Sequence, residues 1–202
     1  MSTREKILDA AVAVMRERGL AGSTTKEIAR AAGYSEATLY KHFDDKQEIF
    51  LRVLKERIPS FSSPAELVGT ATVHENLAAI IEQLMHFYVL TFPIAASIFG
   101  SPELLAVQRE GMRARNAGPE GPVRAVRAYL DGEVDASRLP DALDTDAVAR
   151  LAAGAAMQQA FFATYNALDA VPDAHAMARS LAAAALPSAP ATGESDQAPK
   201  AL

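Results

Sequence analysis

The spacing of apolar residues predicts four short helices in the first 58 positions. In the opening segment, apolar side chains recur every three or four residues, which places them on one face of a helix: Ile7, Leu8, Ala11, Val12 and Met15. Segments 26–32, 36–43 and 46–58 carry shorter stretches of the same pattern. A capping residue precedes a glutamate by three positions at Ser2, Thr24 and Asp45, which is the spacing of a helix start.

The rest of the chain also has helical spacing, and none of it has the alternation typical of a strand. Apolar positions predict helices over 77–93, 104–112, 123–134, 144–168 and 173–186. Pro59 and Pro64 mark the predicted domain boundary, and the segment from Pro187 is rich in Pro, Ser, Ala and Gly, which predicts disorder. We therefore expect an all-α chain with domains at 1–58 and 59–186 and a disordered tail at 187–202.

Composition narrows the classes of protein. The 202 residues are 50% hydrophobic and 22% charged, as in ordinary globular proteins, and the absence of cysteine excludes disulfides, thiol nucleophiles and cysteine metal sites. Residues 1–57 carry 11 basic and 9 acidic side chains, whereas the remainder carries 9 and 16. This split predicts that only the first part meets a polyanion. We expect a cytoplasmic protein without a membrane span, because the uncharged segments 83–102 and 151–168 are poor in large apolar residues.

One motif carries the functional prediction. Between Thr25 and Phe43 the pattern gives a helix, a tight turn at Gly33 and a second helix, which is the spacing of a helix-turn-helix. In such a motif the first helix braces the second across the major groove of DNA. The run TTKEIARAAGYSEATLYKHFDDK at 24–46 resembles the signature of the TetR family of bacterial transcriptional regulators. The resemblance implies an N-terminal three-helix DNA-binding domain followed by a larger helical bundle for ligand binding and dimerisation.

The resemblance also implies roles for ten residues of this run. Phosphate contacts fall at the start of the first motif helix on Thr25 and Lys26. Base reading falls on Ser35, Glu36, Ala37 and Thr38. The positions that flank the groove are Tyr40, Lys41 and His42, of which Tyr40 and His42 contact phosphates. Lys46 contacts a phosphate at the start of the fourth helix. Alternatives stay open at four residues: Ser35 as a helix cap alone, Glu36 as a solvated acid or an acceptor from a cytosine amino group, Tyr40 as a half-buried aromatic, and Lys41 as a solvated side chain.

The second domain offers a predicted effector cavity. Small-molecule sites are mostly apolar with few polar groups, and the candidates of this kind are Met85, Tyr88, Phe92, Phe99, Met112, Gln158, Phe162 and Tyr165. Gln158 lies in an apolar stripe, where its amide needs a partner from a cavity, a subunit interface or the backbone. The four histidines are far apart in sequence without paired acidic ligands, so we expect no metal site and no cofactor.

The segment 146–168 predicts a homodimer. Its alanines recur in alternating steps of four and three, which is the period of a helix seam. With two residues of the next helix, the predicted interface comprises Ala149, Ala153, Ala156, Ala160, Ala163, Ala167, Met177 and Leu181. The alternative is that the domain's own helices cover this side as well.

Together these features predict a repressor that a largely apolar small molecule releases from a palindromic double-stranded operator. Two alternatives share the fold, namely a transcriptional activator and a chromosome-binding protein without a ligand. A third alternative is an enzyme that uses the bundle cavity. The sequence has no nucleophile–base or metal constellation to support an enzyme, so we expect none.

Overall fold

The computed structural model describes residues 1–57, 64–113 and 118–186, and these are helical with short connections. The predicted helix-turn-helix region holds α1 (Thr3–Gly22), α2 (Thr25–Ala32), α3 (Glu36–Leu39) and α4 (Lys46–Glu56). A 3-10 turn at Pro64–Leu67 precedes the larger bundle, which holds α5 (Val73–Phe99), α6 (Pro102–Arg113), α7 (Gly121–Asp135), α8 (Thr145–Tyr165) and α9 (Ala174–Ala185). The all-α prediction is confirmed. The domain boundary at 58–59 and the tail at 187–202 lie outside the described residues.

Helix α5 belongs to two hydrophobic cores. Its first part, including Leu77 and Ile81, packs with α7, α8 and α9 in the larger core. Its last part places Ile94 and Ile98 in the core of α1, α2 and α4. Although α5 is long and apolar enough to span a membrane by length and composition, its packing is that of the central helix of a bundle. One rigid element therefore joins the two parts of the described chain.

The predicted ends of two helices differ most from the structure. The pattern ended the fifth helix at Pro93, but α5 continues to Phe99. Proline removes one N–H donor from a helix, and packing of Ile94 and Ile98 in the first core favours continuation of the helix nonetheless. The third helix was predicted over 36–43, but it ends at Leu39. The chain then tightens into turns, in which the His42 N–H donates to the Leu39 carbonyl at 3.0 Å.

The alanine seam predicted for the dimer is wrong. Five of its alanines are at most 2% exposed within the protomer: Ala149, Ala153, Ala156, Ala160 and Ala163. They lie in the larger core, where their small side chains let α8 approach α5 closely. Met177 and Leu181 are half-buried against the same core, and Ala167 is exposed beyond the end of α8. The 3.5-residue period therefore marks packing inside the protomer, although the alternative interpretation, in which the domain's own helices cover both sides of the segment, holds for this side only.

The opposite side of α8 is uncovered. We call this the outward face of α8 and define it by Leu151, Gln158, Phe162 and Tyr165, all of which are exposed. Leu151 is 65% exposed, Phe162 48% and Tyr165 80%. Large apolar side chains that share one helix face and meet solvent mark an interaction surface.

Candidate nucleic-acid interface

The helix-turn-helix is held by local hydrogen bonds at each helix end. The Thr24 hydroxyl accepts from the Glu27 N–H at 3.1 Å, and the Glu27 carboxylate accepts from the Thr24 N–H at 3.1 Å, which completes a capping box. Gly33 ends α2 with φ of 78°, a left-handed conformation that glycine adopts at no steric cost. These contacts fix the turn between the two motif helices.

Burial divides the motif into an inner and an outer side. Ile28, Ala29, Leu39 and Phe43 are at most 2% exposed in the core. The ten predicted DNA contacts lie outside it: Lys26, Ser35, Ala37, Tyr40, Lys41 and His42 are exposed, and Thr25, Glu36, Thr38 and Lys46 are half-buried. The side chains that the resemblance assigns to DNA are thus available at the surface of the motif.

A hydroxyl at the start of α2 is linked to both ends of α3. The Thr25 Oγ1 donates to Glu36 Oε1 and lies 3.4 Å from the Tyr40 hydroxyl oxygen. Glu36 is therefore engaged within the protein, which favours a positioning role over acceptance from a cytosine. The interaction also fixes where α3 stands relative to the N-terminus of α2.

Ser35 caps α3, as one of its two interpretations held. Its Oγ accepts from the Thr38 N–H at 3.2 Å and lies 2.9 Å from Thr38 Oγ1. Capping does not exclude contact with DNA, because both hydroxyls stay near the surface. Their mutual hydrogen bond holds the Thr38 side chain in one orientation at the first turn of α3.

Lys46 is the first residue of α4, next to the capping residue Asp45. The Asp45 carboxylate accepts from the Glu48 N–H at 2.7 Å. Partial burial lowers the pKa of Lys46, and the negative charge of Glu27 acts in the opposite direction. A DNA phosphate placed here would stabilise the charged ammonium, since an opposite charge favours the ionised form.

An ion pair that sequence spacing did not reveal fastens α1 to α4. Arg4 Nη1 and Nη2 donate to the two carboxylate oxygens of Glu56 at 2.8 and 2.7 Å. Arg57, which directly follows α4, donates from Nε to Asp9 Oδ1 of α1 at 2.6 Å. The partners are about 50 residues apart in sequence, so no local pattern predicts the pairing. These pairs tie the helix that follows the motif to the helix that precedes it.

The Arg4–Glu56 pair makes stability depend on pH. The hydrogen bonds and charge of Arg4 lower the pKa of Glu56 to about 2 from its ordinary 4.5. Because the folded-state pKa is lowered, the contribution is present above pH 4.5 and is lost as the pH falls towards 2. We expect Glu56→Gln to lower the unfolding free energy by about 1 kcal/mol at pH 7 and by less at pH 3.5. Urea unfolding of the wild type and Glu56→Gln at pH 7 and pH 3.5 tests this prediction. An equal difference in unfolding free energy between the two proteins at both pH values would contradict it.

The predicted effector residues do not line one cavity. Four of the eight belong to a chain of neighbouring rings: Tyr88, Phe92, Phe162 and Tyr165. Phe161, which the sequence analysis missed, joins them, since its ring centroid lies 6.0 Å from that of Phe92, 6.0 Å from that of Phe162 and 6.1 Å from that of Tyr165. Burial raises the pKa of Tyr88, whose ring centroid lies 5.3 Å from that of Phe87.

The other four candidates do not belong to this chain of rings. Met85 is buried in the larger core, Phe99 is 71% exposed at the end of α5, Met112 is half-buried on α6, and Gln158 is exposed on the outward face of α8. No amide partner from the protomer is needed for Gln158, because its side chain meets solvent. Apolar character alone therefore did not distinguish core, surface and cavity positions.

Comparison with known proteins matches the first part of the chain to a family model. Residues 7–53 match the model described as bacterial regulatory proteins, tetR family. The fatty acid metabolism regulator protein of Bacillus subtilis is 28% identical over 141 residues, which cover 69% of this chain and 72% of that protein. The segment 7–53 contains most of α1, all of α2 and α3 and most of α4, where the capping and turn geometry described above is found.

Solved structures share the fold over nearly the whole chain. The transcriptional regulator FadR of Bacillus subtilis, solved with stearoyl-CoA, superposes with a TM-score of 0.66 at 21% identity and covers 91% of this chain and 97% of its own. A complex of triclosan with SmeT, the repressor of a multidrug efflux pump in Stenotrophomonas maltophilia, gives 0.64 at 22% identity and covers 92% and 91%. The helix-turn-helix geometry and the matched model agree: residues 7–53 form the DNA-binding domain of the TetR family of bacterial transcriptional regulators, and the chain is a DNA-binding regulator of transcription.

Proposed function

We propose that this regulator is a cytoplasmic repressor that binds a palindromic operator as a homodimer and leaves it when a small molecule binds. The observation that carries the proposal is the double packing of α5, which places Leu77 in the larger core and Ile98 in the core of the DNA-binding region. A change in how α5 sits against the larger bundle is transmitted to that region without a flexible joint. A small molecule can shift the population between two arrangements of the protein if it binds one of them more tightly than the other.

Two of the proteins with the same fold support repression and ligand response. SmeT is named a repressor and was solved with triclosan, and FadR was solved with stearoyl-CoA. These ligands belong to those proteins. For this chain they favour a response to a small molecule with a large apolar part, in keeping with the aromatic chain around Phe161.

The homodimer is supported by the outward face of α8. Leu151, Phe162 and Tyr165 are exposed there, and no other part of the protomer within the described ranges covers them. A second copy related by a two-fold axis would present the same face and bury both. Two recognition helices would then meet two half-sites on one side of the duplex.

In vitro transcription tests the proposal. The template carries a promoter overlapped by a binding site selected from random DNA, and purified protein is added before the polymerase. We expect the transcript to fall as the protein occupies the site and to be restored by a ligand found through thermal-shift screening. A transcript that rises with added protein would overturn repression in favour of activation, and repression that no stabilising ligand relieves would overturn the ligand response.

A further inference from the structure

A cleft of about 680 Å³ lies where α1, α5 and α8 meet. Its walls are largely apolar and include Val89 and Phe92 of α5, Phe161 of α8 and Leu168 just beyond the end of α8. Small-molecule sites typically have this size and this apolar character. Two of the eight predicted effector residues, Phe92 and Tyr165, line the cleft. The cleft is therefore lined by the part of the aromatic chain that faces the DNA-binding region.

The charges around the cleft compensate one another. Arg16 Nη2 lies 3.8 Å from Asp169 Oδ1, and Arg18 Nε lies 3.7 Å from Glu17 Oε1. Arg16, Glu17 and Asp169 line the cleft, and Arg18 is adjacent in sequence. The lining itself combines the cation Arg16 with the carboxylates of Glu17 and Asp169, so it offers no net positive charge to an anionic ligand. Apolar walls and a lining without net positive charge thus favour an uncharged occupant.

One polar group of the lining lacks a partner. The Thr164 Oγ1 is buried, and it has no hydrogen-bond partner among the described residues. A buried hydroxyl without a partner is costly, and a helical threonine has two populated χ1 orientations that exchange its hydroxyl and methyl positions. A ligand with one hydrogen-bonding group would supply the missing partner.

The position of the cleft relates it to DNA binding. Ala13 and Arg16 belong to α1, which packs in the core of the DNA-binding region, whereas Thr164 belongs to α8 in the larger bundle. Pro93 lines the cleft at the place where α5 passes from one core to the other. A molecule seated there contacts both parts of the chain at once.

We propose that this cleft binds an uncharged, largely apolar small molecule with one hydrogen-bonding group that pairs with Thr164. The role of that molecule as the effector rests on the repressor function proposed above. Binding in the cleft does not rest on it, so the two are measured separately.

The binding test uses N-phenyl-1-naphthylamine, an uncharged fluorescent probe with one N–H donor, and its anionic relative 1-anilinonaphthalene-8-sulfonate. We expect one molecule of the uncharged probe per protomer and weaker binding of the sulfonate. Ala96→Phe fills the cleft from an exposed position of α5 and should weaken the uncharged probe at least tenfold. Ala79→Phe changes another exposed alanine of α5, away from the cleft, and should leave the affinity unchanged.

Thr164→Val tests the hydrogen bond separately from the shape of the cleft. Removing an unpartnered hydroxyl should leave the melting temperature unchanged or raised, while the affinity for N-phenyl-1-naphthylamine falls about three- to tenfold. If Ala96→Phe proves misfolded by circular dichroism, Ala13→Phe fills the same cleft from α1 and replaces it. Equal probe affinity in wild type, the filled variant and Thr164→Val would overturn the proposal, as would tighter binding of the sulfonate.

Release from DNA is scored in a second assay, by anisotropy of a labelled operator. Displacement of the operator by the probe in wild type, but not in Ala96→Phe, supports the cleft as the effector site. Probe binding that leaves the operator in place overturns the effector role and leaves the binding site standing. Failure of the probe to bind overturns the cleft, whatever the outcome of the transcription assay.

Discussion

Replacement of both Leu151 and Phe162 by glutamate should convert the proposed homodimer into monomers and lower operator affinity at least 100-fold. Both side chains lie on the outward face of α8 and are largely exposed in the protomer, so neither change disturbs the core. In a two-fold interface each carboxylate would be buried against apolar groups and near its own symmetry mate, at several kcal/mol per ion. A monomer then engages one half-site and loses the gain of about 10² to 10⁴ that linkage of two sites provides.

Sedimentation velocity and operator binding check this prediction. The matched control places the same two charges at Ala106 and Ala128, which are exposed on α6 and α7, and it should stay dimeric and bind normally. Helicity by circular dichroism should be native in both variants. A Leu151→Glu/Phe162→Glu protein that remains a dimer with full operator affinity would place the interface elsewhere.

Lys46→Ala and Thr38→Ala should weaken DNA binding in two different ways. Lys46 stands at the N-terminus of α4, where ammonium and helix N–H groups both favour phosphate. Its loss should weaken binding to all sequences alike and reduce the slope of log affinity against log salt by about one. Thr38 lies in the first turn of the recognition helix with its hydroxyl held by Ser35. Its loss should reduce discrimination at particular base pairs by about 1–3 kcal/mol each, or roughly 5- to 150-fold.

Anisotropy titrations against the operator, single-base variants and random duplex at four salt concentrations separate the two effects. Arg124→Ala serves as the control because Arg124 is an exposed cation on α7, and it should change neither slope nor preference. If both test variants lost affinity equally for all duplexes, and Thr38→Ala kept the base preference of the wild type, the division of roles between Lys46 and Thr38 would be contradicted.

Local signals in the sequence predicted the elements that depend on neighbouring residues. The capping box at Thr24, the turn at Gly33 and the cap at Ser35 are all present, because each is decided within three or four residues. The apolar faces of α1, α2 and α4 were predicted for the same reason. The motif therefore could be identified before its tertiary packing was known.

Features set by tertiary packing could not be predicted in this way. The alanines of α8, such as Ala156, repeat with a regular period, but the period does not state which helix covers them, and α5 of the same protomer does. Pro93 suggested that the fifth helix ends there. Helix α5 instead continues to Phe99, and Ile94 and Ile98, which follow the proline, are buried in the first core. Phe161 was missed because nothing local distinguishes it from its neighbour Phe162, although only Phe161 meets Phe92 across the helices.

The central claim is that two copies of this helix-turn-helix read one duplex together. The most direct test is selection of binding sites from a pool of random double-stranded DNA, followed by sequencing. We expect an enriched site with two-fold symmetry, whose half-site centres lie about one helical turn, ~10 bp, or a multiple apart. The Leu151→Glu/Phe162→Glu protein should enrich single half-sites at most. Enrichment of one asymmetric site by the wild-type protein, or of no sequence at all, would contradict the claim.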